Sequence, residues 1–131
     1  DHVVLIATPD TVCLRDTEKV AGLVMQKKNL HPDIVLNRYT WPLYWAGRIP
    51  APQDIALSLD LPLLGVVPQS DSVYVDQLSG ITMAQSADTE VTDAINRATE
   101  RLLGLPTALP EKKEAWFDRL RRRIRKERVR V

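Results

Sequence analysis

The sequence predicts an α/β fold in which parallel strands are flanked by helices, with an amphipathic helix appended at the C-terminus. Three observations carry that prediction. Short, mostly β-branched apolar runs recur at residues 3–7, 34–36 and 63–67, each the signature of a strand buried on both faces. Helix-forming segments alternate with these runs, an order that belongs to parallel sheets. The charge then changes character: residues 111–131 hold ten Lys/Arg against four Asp/Glu, a net of +6, whereas residues 1–110 carry a net of −5.

The first strand, Val3 to Ala7, is broken by Thr8, Pro9 and Asp10, and Asp10 or Thr11 can cap the helix that follows. Cys13, Val20, Ala21, Leu23 and Val24 give this helix a rough apolar stripe that ends near Lys27, Lys28 and Asn29. The lysines suit the negative end of the helix dipole, and Asn tolerates the left-handed backbone of a C-cap. Ile34 to Leu36 is the second strand, closed by Asn37 and Arg38. The aromatic stretch of Tyr39, Trp41, Tyr44 and Trp45 is followed by Gly47, Pro50 and Pro52. The prolines predict a loop, with the rings packed beneath it. Gln53 to Leu59 is a short helix. Leu63 to Val67 is the third strand, stopped by Pro68. Ser70 to Leu78 is another short helix, with Gly80 beyond its end. Residues 88–103 form the clearest helix: Val91, Ala94, Ile95, Ala98 and Leu102 line one face, and Gly104 stands where a C-terminal glycine belongs. The chain thus divides into a body at 1–104, a Pro-containing linker at 105–110 and a basic helix at 111–131.

With 131 residues and 44% apolar content, the chain has the means for one globular domain. One cysteine, Cys13, excludes an internal disulfide framework and a Cys-rich zinc site, and its place on an apolar helix face makes it a core thiol rather than a nucleophile. His2 and His31 have no companions for a metal centre or a triad. No apolar run approaches the ~18–20 residues that span a bilayer. The chain opens on Asp1 without Met or a signal-peptide pattern, which leads us to expect a piece of a longer protein. No phosphate-cradling G-x-x-x-x-G-K-[ST] occurs.

On a helical wheel Trp116, Phe117, Leu120 and Ile124 fall in a stripe about 100° wide, with Arg119, Arg121, Arg122 and Arg125 on its flanks or opposite side. Apolar bulk facing basic residues fits a helix lying in an anionic membrane interface. The same charge suits a nucleic-acid arm, and a basic helix packed on its own body is the third reading. The other functional locus is the carboxyl edge of the sheet, where open parallel sheets bind ligands. That edge carries Thr8 to Asp10, Asn37 with Arg38, and Pro68 with Gln69. An Asn side chain offers a donor and an acceptor that complement a purine edge, although Asn after a strand is also an ordinary turn former.

Several segments together resemble the C-terminal half of the ParA/MinD family of deviant P-loop ATPases: Asp1 to Asp10, Leu14 to Val20, Ile34 to Tyr39, Leu63 to Pro68, and Arg101 to Gly104. The run from Lys112 to Arg123 resembles the family's membrane-targeting helix. The resemblance implies half of a P-loop-type sheet. It implies ATP with Mg²⁺ as ligand, a homodimer with ATP between subunits, and peripheral attachment to anionic lipids at the inner face of the cell membrane. It also implies recruitment of the division inhibitor MinC, with hydrolysis stimulated by a topological factor such as MinE. By position Asn37 and Arg38 match the adenine-contacting strand end, Pro68 and Gln69 the loop beside the base, and Arg15, Asp16 and Glu18 the helix used for dimer and partner contacts. The family's P-loop lysines, switch regions and Walker B aspartate are not in this sequence, so residues 1–131 alone are not expected to hydrolyse ATP. Partitioning or flagellar-number relatives, and a non-catalytic membrane-binding adaptor, are the alternatives. Half a doubly wound sheet also exposes a strand edge, so the isolated chain is expected to be aggregation-prone.

Overall fold

In the computed structural model, which describes residues 1–109 together with Glu114 and Arg119, three parallel strands form one sheet in the order β1-β2-β3. They are β1 (Val4–Ala7), β2 (Asp33–Tyr39) and β3 (Leu63–Pro68). The helices are α1 (Thr11–Lys28), α2 (Trp41–Trp45), α3 (Pro52–Ser58), α4 (Asp71–Leu78) and α5 (Thr89–Leu102).

β2 is buried on both faces, as its unbroken apolar run predicts. Ile34 and Leu36, both fully buried, point into a core built with Ala21 of α1, Ile55 and Ala56 of α3, and Tyr39 and Trp41. Each such side chain contributes roughly 1.5–3 kcal/mol by leaving water. Val35 points the other way, into a second core with Leu64, Val67, and Val91 and Ala94 of α5. The β2–β3 register slips between Ile34 and Val35, so that Gly65 stands opposite Val35. Gly65 then lies under α5, and a Cβ there would be 2.7 Å from Ala98 Cβ. Glycine is what lets helix and sheet approach this closely.

β1 departs from expectation. Ala7 and Leu5 join the first core, but Ile6 is 68% exposed. α5 lies chiefly over β3, and of β1 only Val4 packs against the second core. The α1 stripe is also rotated from the predicted one. Thr17 and Ala21 are its buried residues and Cys13, Leu14 and Met25 pack beside them, whereas Val20 and Leu23 face solvent. On α5, Val91, Ala94 and Ala98 are buried while Ile95 and Leu102 are only partly covered.

Two further corrections fall near the aromatic stretch. β2 does not close at Asn37 and Arg38; it runs on to Tyr39. The stretch itself is not all loop, because Trp41–Trp45 forms α2. Pro42 stands in the first turn, where a missing N–H costs nothing. Tyr39 and Trp41 are buried, with ring centroids 4.9 Å apart edge to face. The Tyr39 hydroxyl donates to the Pro50 carbonyl at 2.7 Å. Burial pushes its phenol up to about 12. Among the described residues no helix is long and apolar enough to cross a membrane.

Candidate nucleotide-base site

Because all three strands are parallel, their carboxyl ends share one edge. At the centre of that edge β2 is irregular: its pairing with β3 slips between Leu36 and Tyr39. Asn37 and Arg38 occupy the slip, and Arg38 has φ +57°. A non-glycine residue in this left-handed region carries about 1–2 kcal/mol of strain. The strain is held because Tyr39, immediately beyond, resumes the strand and is completely buried. A bulge of this kind re-aims side chains at a sheet edge. Here it sends Arg38 toward β3, where its Nε donates to Gln69 Oε1 at 2.9 Å. The Gln69 backbone N–H donates to the Tyr39 carbonyl at 3.0 Å. Asn37 is half-buried, Pro68 is half-buried, and Arg38 and Gln69 are exposed. The structure thus brings Arg38, Gln69 and Pro68 together with Asn37 at one strand-end locus.

The N-termini of α1, α4 and α5 at this edge are each closed by a side chain of the protein itself, whereas α2, which starts directly after β2, has no side-chain cap. Asp10 caps α1, its carboxylate accepting from the Thr8 hydroxyl and, at 2.9 Å, from the Cys13 N–H. These bonds hold the Asp10 carboxyl below the usual carboxylate range. Ser70 caps α4 by accepting from the Val73 N–H at 3.3 Å. Asp88 caps α5 by accepting from the Val91 N–H at 3.1 Å. The other Asp88 oxygen accepts from the Ser70 hydroxyl and, at 2.7 Å, from the Ser72 hydroxyl. These hydroxyls, and then the Val91 N–H, lower the Asp88 pKa. Helix N-termini attract phosphate when their N–H groups are free. At α1 and α5 a carboxylate already occupies them, so neither of these two starts is free to receive a phosphate. Among the described residues no group of three His, Cys, Asp or Glu side chains is placed to hold a metal.

The remaining predicted residues lie elsewhere. Arg15, Asp16 and Glu18 are exposed on α1; Asp16 pairs with Lys19 at 3.5 Å. Asp16 also lines a shallow cleft with Leu5, Ile6, Asp10, Val12 and Val20, beside the uncovered face of β1. Trp116, Phe117, Leu120, Ile124, Arg121, Arg122 and Arg125 lie outside the described residues. Arg119 Nε is 3.8 Å from a Glu114 carboxylate oxygen. Sequence reading missed Ser70, Ser72 and Asp88 as a group. Serine and aspartate ahead of two helices signal caps, but not that one carboxylate serves both.

No family profile matches the chain. Known proteins do. A putative septum site-determining protein MinD of Nephroselmis olivacea is 28% identical over 126 residues, 93% of this chain and 45% of the relative. Among solved structures, MinD of Aquifex aeolicus superposes with TM-score 0.78 over 85% of this chain, at 21% identity. MinD of Pyrococcus horikoshii, solved with Mg-ADP, is 28% identical with TM-score 0.61, covering 80% of this chain and 43% of that one. In sequence and fold the chain resembles the C-terminal half of MinD. It spans about half the length, or less, of the MinD proteins it matches. Three parallel strands with flanking helices are the part of the MinD architecture that it shares. Another Aquifex aeolicus structure with the same fold is a MinC:MinD complex.

Proposed function

We propose that this chain is the C-terminal half of a MinD-like cell-division site-selection ATPase and supplies the base side of its ATP site. The supporting observation is the β2–β3 strand end, where the strained Arg38 is tied to Gln69 across the sheet beside Asn37 and Pro68. Asn37 offers donor and acceptor to an adenine edge, Pro68 offers an apolar wall, and the phosphates and Mg²⁺ are held by another segment. In this reading Arg15, Asp16 and Glu18 face a second copy, a MinC-like inhibitor or a MinE-like factor. The chain divides at 104 and 110, and residues 111–131 bind an anionic membrane reversibly through Trp116, Phe117, Leu120 and Ile124, with Arg119, Arg121, Arg122 and Arg125 against the headgroups.

Two measurements test the reading. In a ¹H–¹⁵N NMR titration of the full chain, ATP shifts the Asn37, Arg38 and Gln69 amides saturably in the millimolar range, about 4 kcal/mol of binding; no saturable shift there refutes the base site. Anionic vesicles sediment the chain, and Trp116→Glu or Leu120→Glu abolishes this. Salt-sensitive DNA binding with no vesicle binding would replace the membrane role with a partitioning role.

A further inference from the structure

Resting on the base-site reading, a different residue group sets how well that site is formed. Gln69 reaches Arg38 only if the segment after Pro68 leaves β3 in one direction. Its backbone is fixed at Gln69 by the Tyr39 carbonyl. Beyond that point the next anchors are Ser70 and Ser72, and both donate to the same oxygen of Asp88, a residue 18 and 16 positions later. Asp88 is itself held: its other oxygen caps α5 at Val91, and its N–H donates to the Ser86 hydroxyl at 3.2 Å. Ser86 in turn donates to Asp76 of α4. Helix α4 has no buried residue of its own, so apolar packing alone does not fix its start. α5, by contrast, is seated on the sheet through Val91, Ala94 and Ala98.

We propose that Asp88 is a positioning residue for the base site: from the firmly seated α5 it clamps the Ser70–Ser72 turn, and through that turn holds Gln69 beside Arg38 in the pose that contacts the base. Asp88 does not touch the ligand. The carboxylate is suited to the task because one oxygen accepts from both hydroxyls while the other still closes the helix. A serine at 88 keeps the cap but is too short to reach Ser70 and Ser72.

The test uses the full chain and ATP and GTP as probes in the NMR titration. Asp88→Ser leaves the α5 cap intact, since serine and aspartate cap equally well. It is expected to weaken ATP binding by about fivefold, the worth of one hydrogen bond, and to change the ratio of ATP to GTP affinity, while lowering the urea midpoint at neutral pH through the lost Ser70 and Ser72 contacts. Ser72→Ala, an exposed change, is expected to act in the same direction and to add nothing to Asp88→Ser. A merely structural Asp88 would move the urea midpoint and leave the ATP/GTP ratio fixed, and that result overturns the proposal. Unchanged ATP affinity in Asp88→Ser also overturns it. Absence of ATP binding by the unsubstituted chain refutes the base site and this proposal with it; ATP binding that is indifferent to position 88 refutes this proposal alone.

Discussion

Replacing Gly65 with alanine is expected to destabilise the domain by about 2 kcal/mol. The added Cβ would stand 2.7 Å from Ala98 Cβ and 3.6 Å from Ala98 Cα. Carbon atoms in contact settle at ~3.5–4.0 Å, so the helix must retreat by about an ångström. Ala98 has no rotamer by which to yield. Nor is α5 free to lift. Its start is tied through Asp88 to Ser70 and Ser72, and its end through the Arg101 guanidinium to the Leu63 and Leu64 carbonyls at 3.4 and 3.3 Å. Retreat would open the core formed by Val35, Leu64, Val67, Val91 and Ala94. Overpacking of this kind costs about 1–3 kcal/mol. Urea unfolding followed by far-UV circular dichroism reads the loss as a fall of about 1 M in midpoint with an unchanged slope. The decisive measurement is the double variant. Ala98→Gly removes the obstructing methyl at a cost of about 1 kcal/mol in helix propensity. With both changes the clash is gone, so the pair should cost about 1 rather than 3 kcal/mol, a coupling of about 2. If the two losses simply add, the argument from close approach is wrong.

Three further outcomes follow from other contacts. Tyr39→Phe leaves the Pro50 carbonyl without its donor and should cost about 1 kcal/mol at neutral pH. Because the folded-state phenol titrates near 12 rather than 10.0, the unsubstituted chain should lose stability as pH rises through that window, and Tyr39→Phe should lose less; equal losses would contradict this. Asp88 has a lowered pKa in the folded chain, so its contribution is present above the ordinary carboxylate range and disappears as pH falls through the folded value. The urea midpoint of Asp88→Ser should therefore respond less to acid than that of the unsubstituted chain. Arg101→Ala frees the Leu63, Leu64 and Thr107 carbonyls together, and hydrogen exchange at residues 105–109 should quicken; Arg101→Lys should not restore protection, because an ammonium lacks the planar fork that spans three acceptors.

How much of this was legible beforehand differs from element to element. β2 and β3 declare themselves because both faces are covered, which demands unbroken apolar runs. β1 has the same composition, yet Ile6 is exposed; a run of five apolar residues does not say whether a layer lies above each face. The caps at Asp10 and Asn29 were readable because each acts on neighbours within a turn, whereas Ser70 and Asp88 were read only as the first residues of their helices and prove to be their N-caps. α2 was hidden by Pro42, which reads as a breaker until its place in the first turn is known. The continuation of β2 through Arg38 was hidden too, since local preference ends the strand there and only the burial of Tyr39 carries it on. The strand-end residues Asn37, Arg38, Pro68 and Gln69 were placed by position along the chain, whereas the Arg38–Gln69 bond needed the register. The Ser70–Ser72–Asp88 cluster depends on a separation of 16 to 18 residues that no local pattern encodes.

The seating of α5 has a mechanical corollary. Fastened at its top through Asp88, at its foot through Arg101, and butted against Gly65 midway, it behaves as a fixed strut spanning the full height of the sheet. Three points of attachment along its length resist sliding and tilting. A message sent from the upper rim to the lower rim of this domain must either travel with the strut as one rigid piece or go around it, through the connecting turns at its two ends.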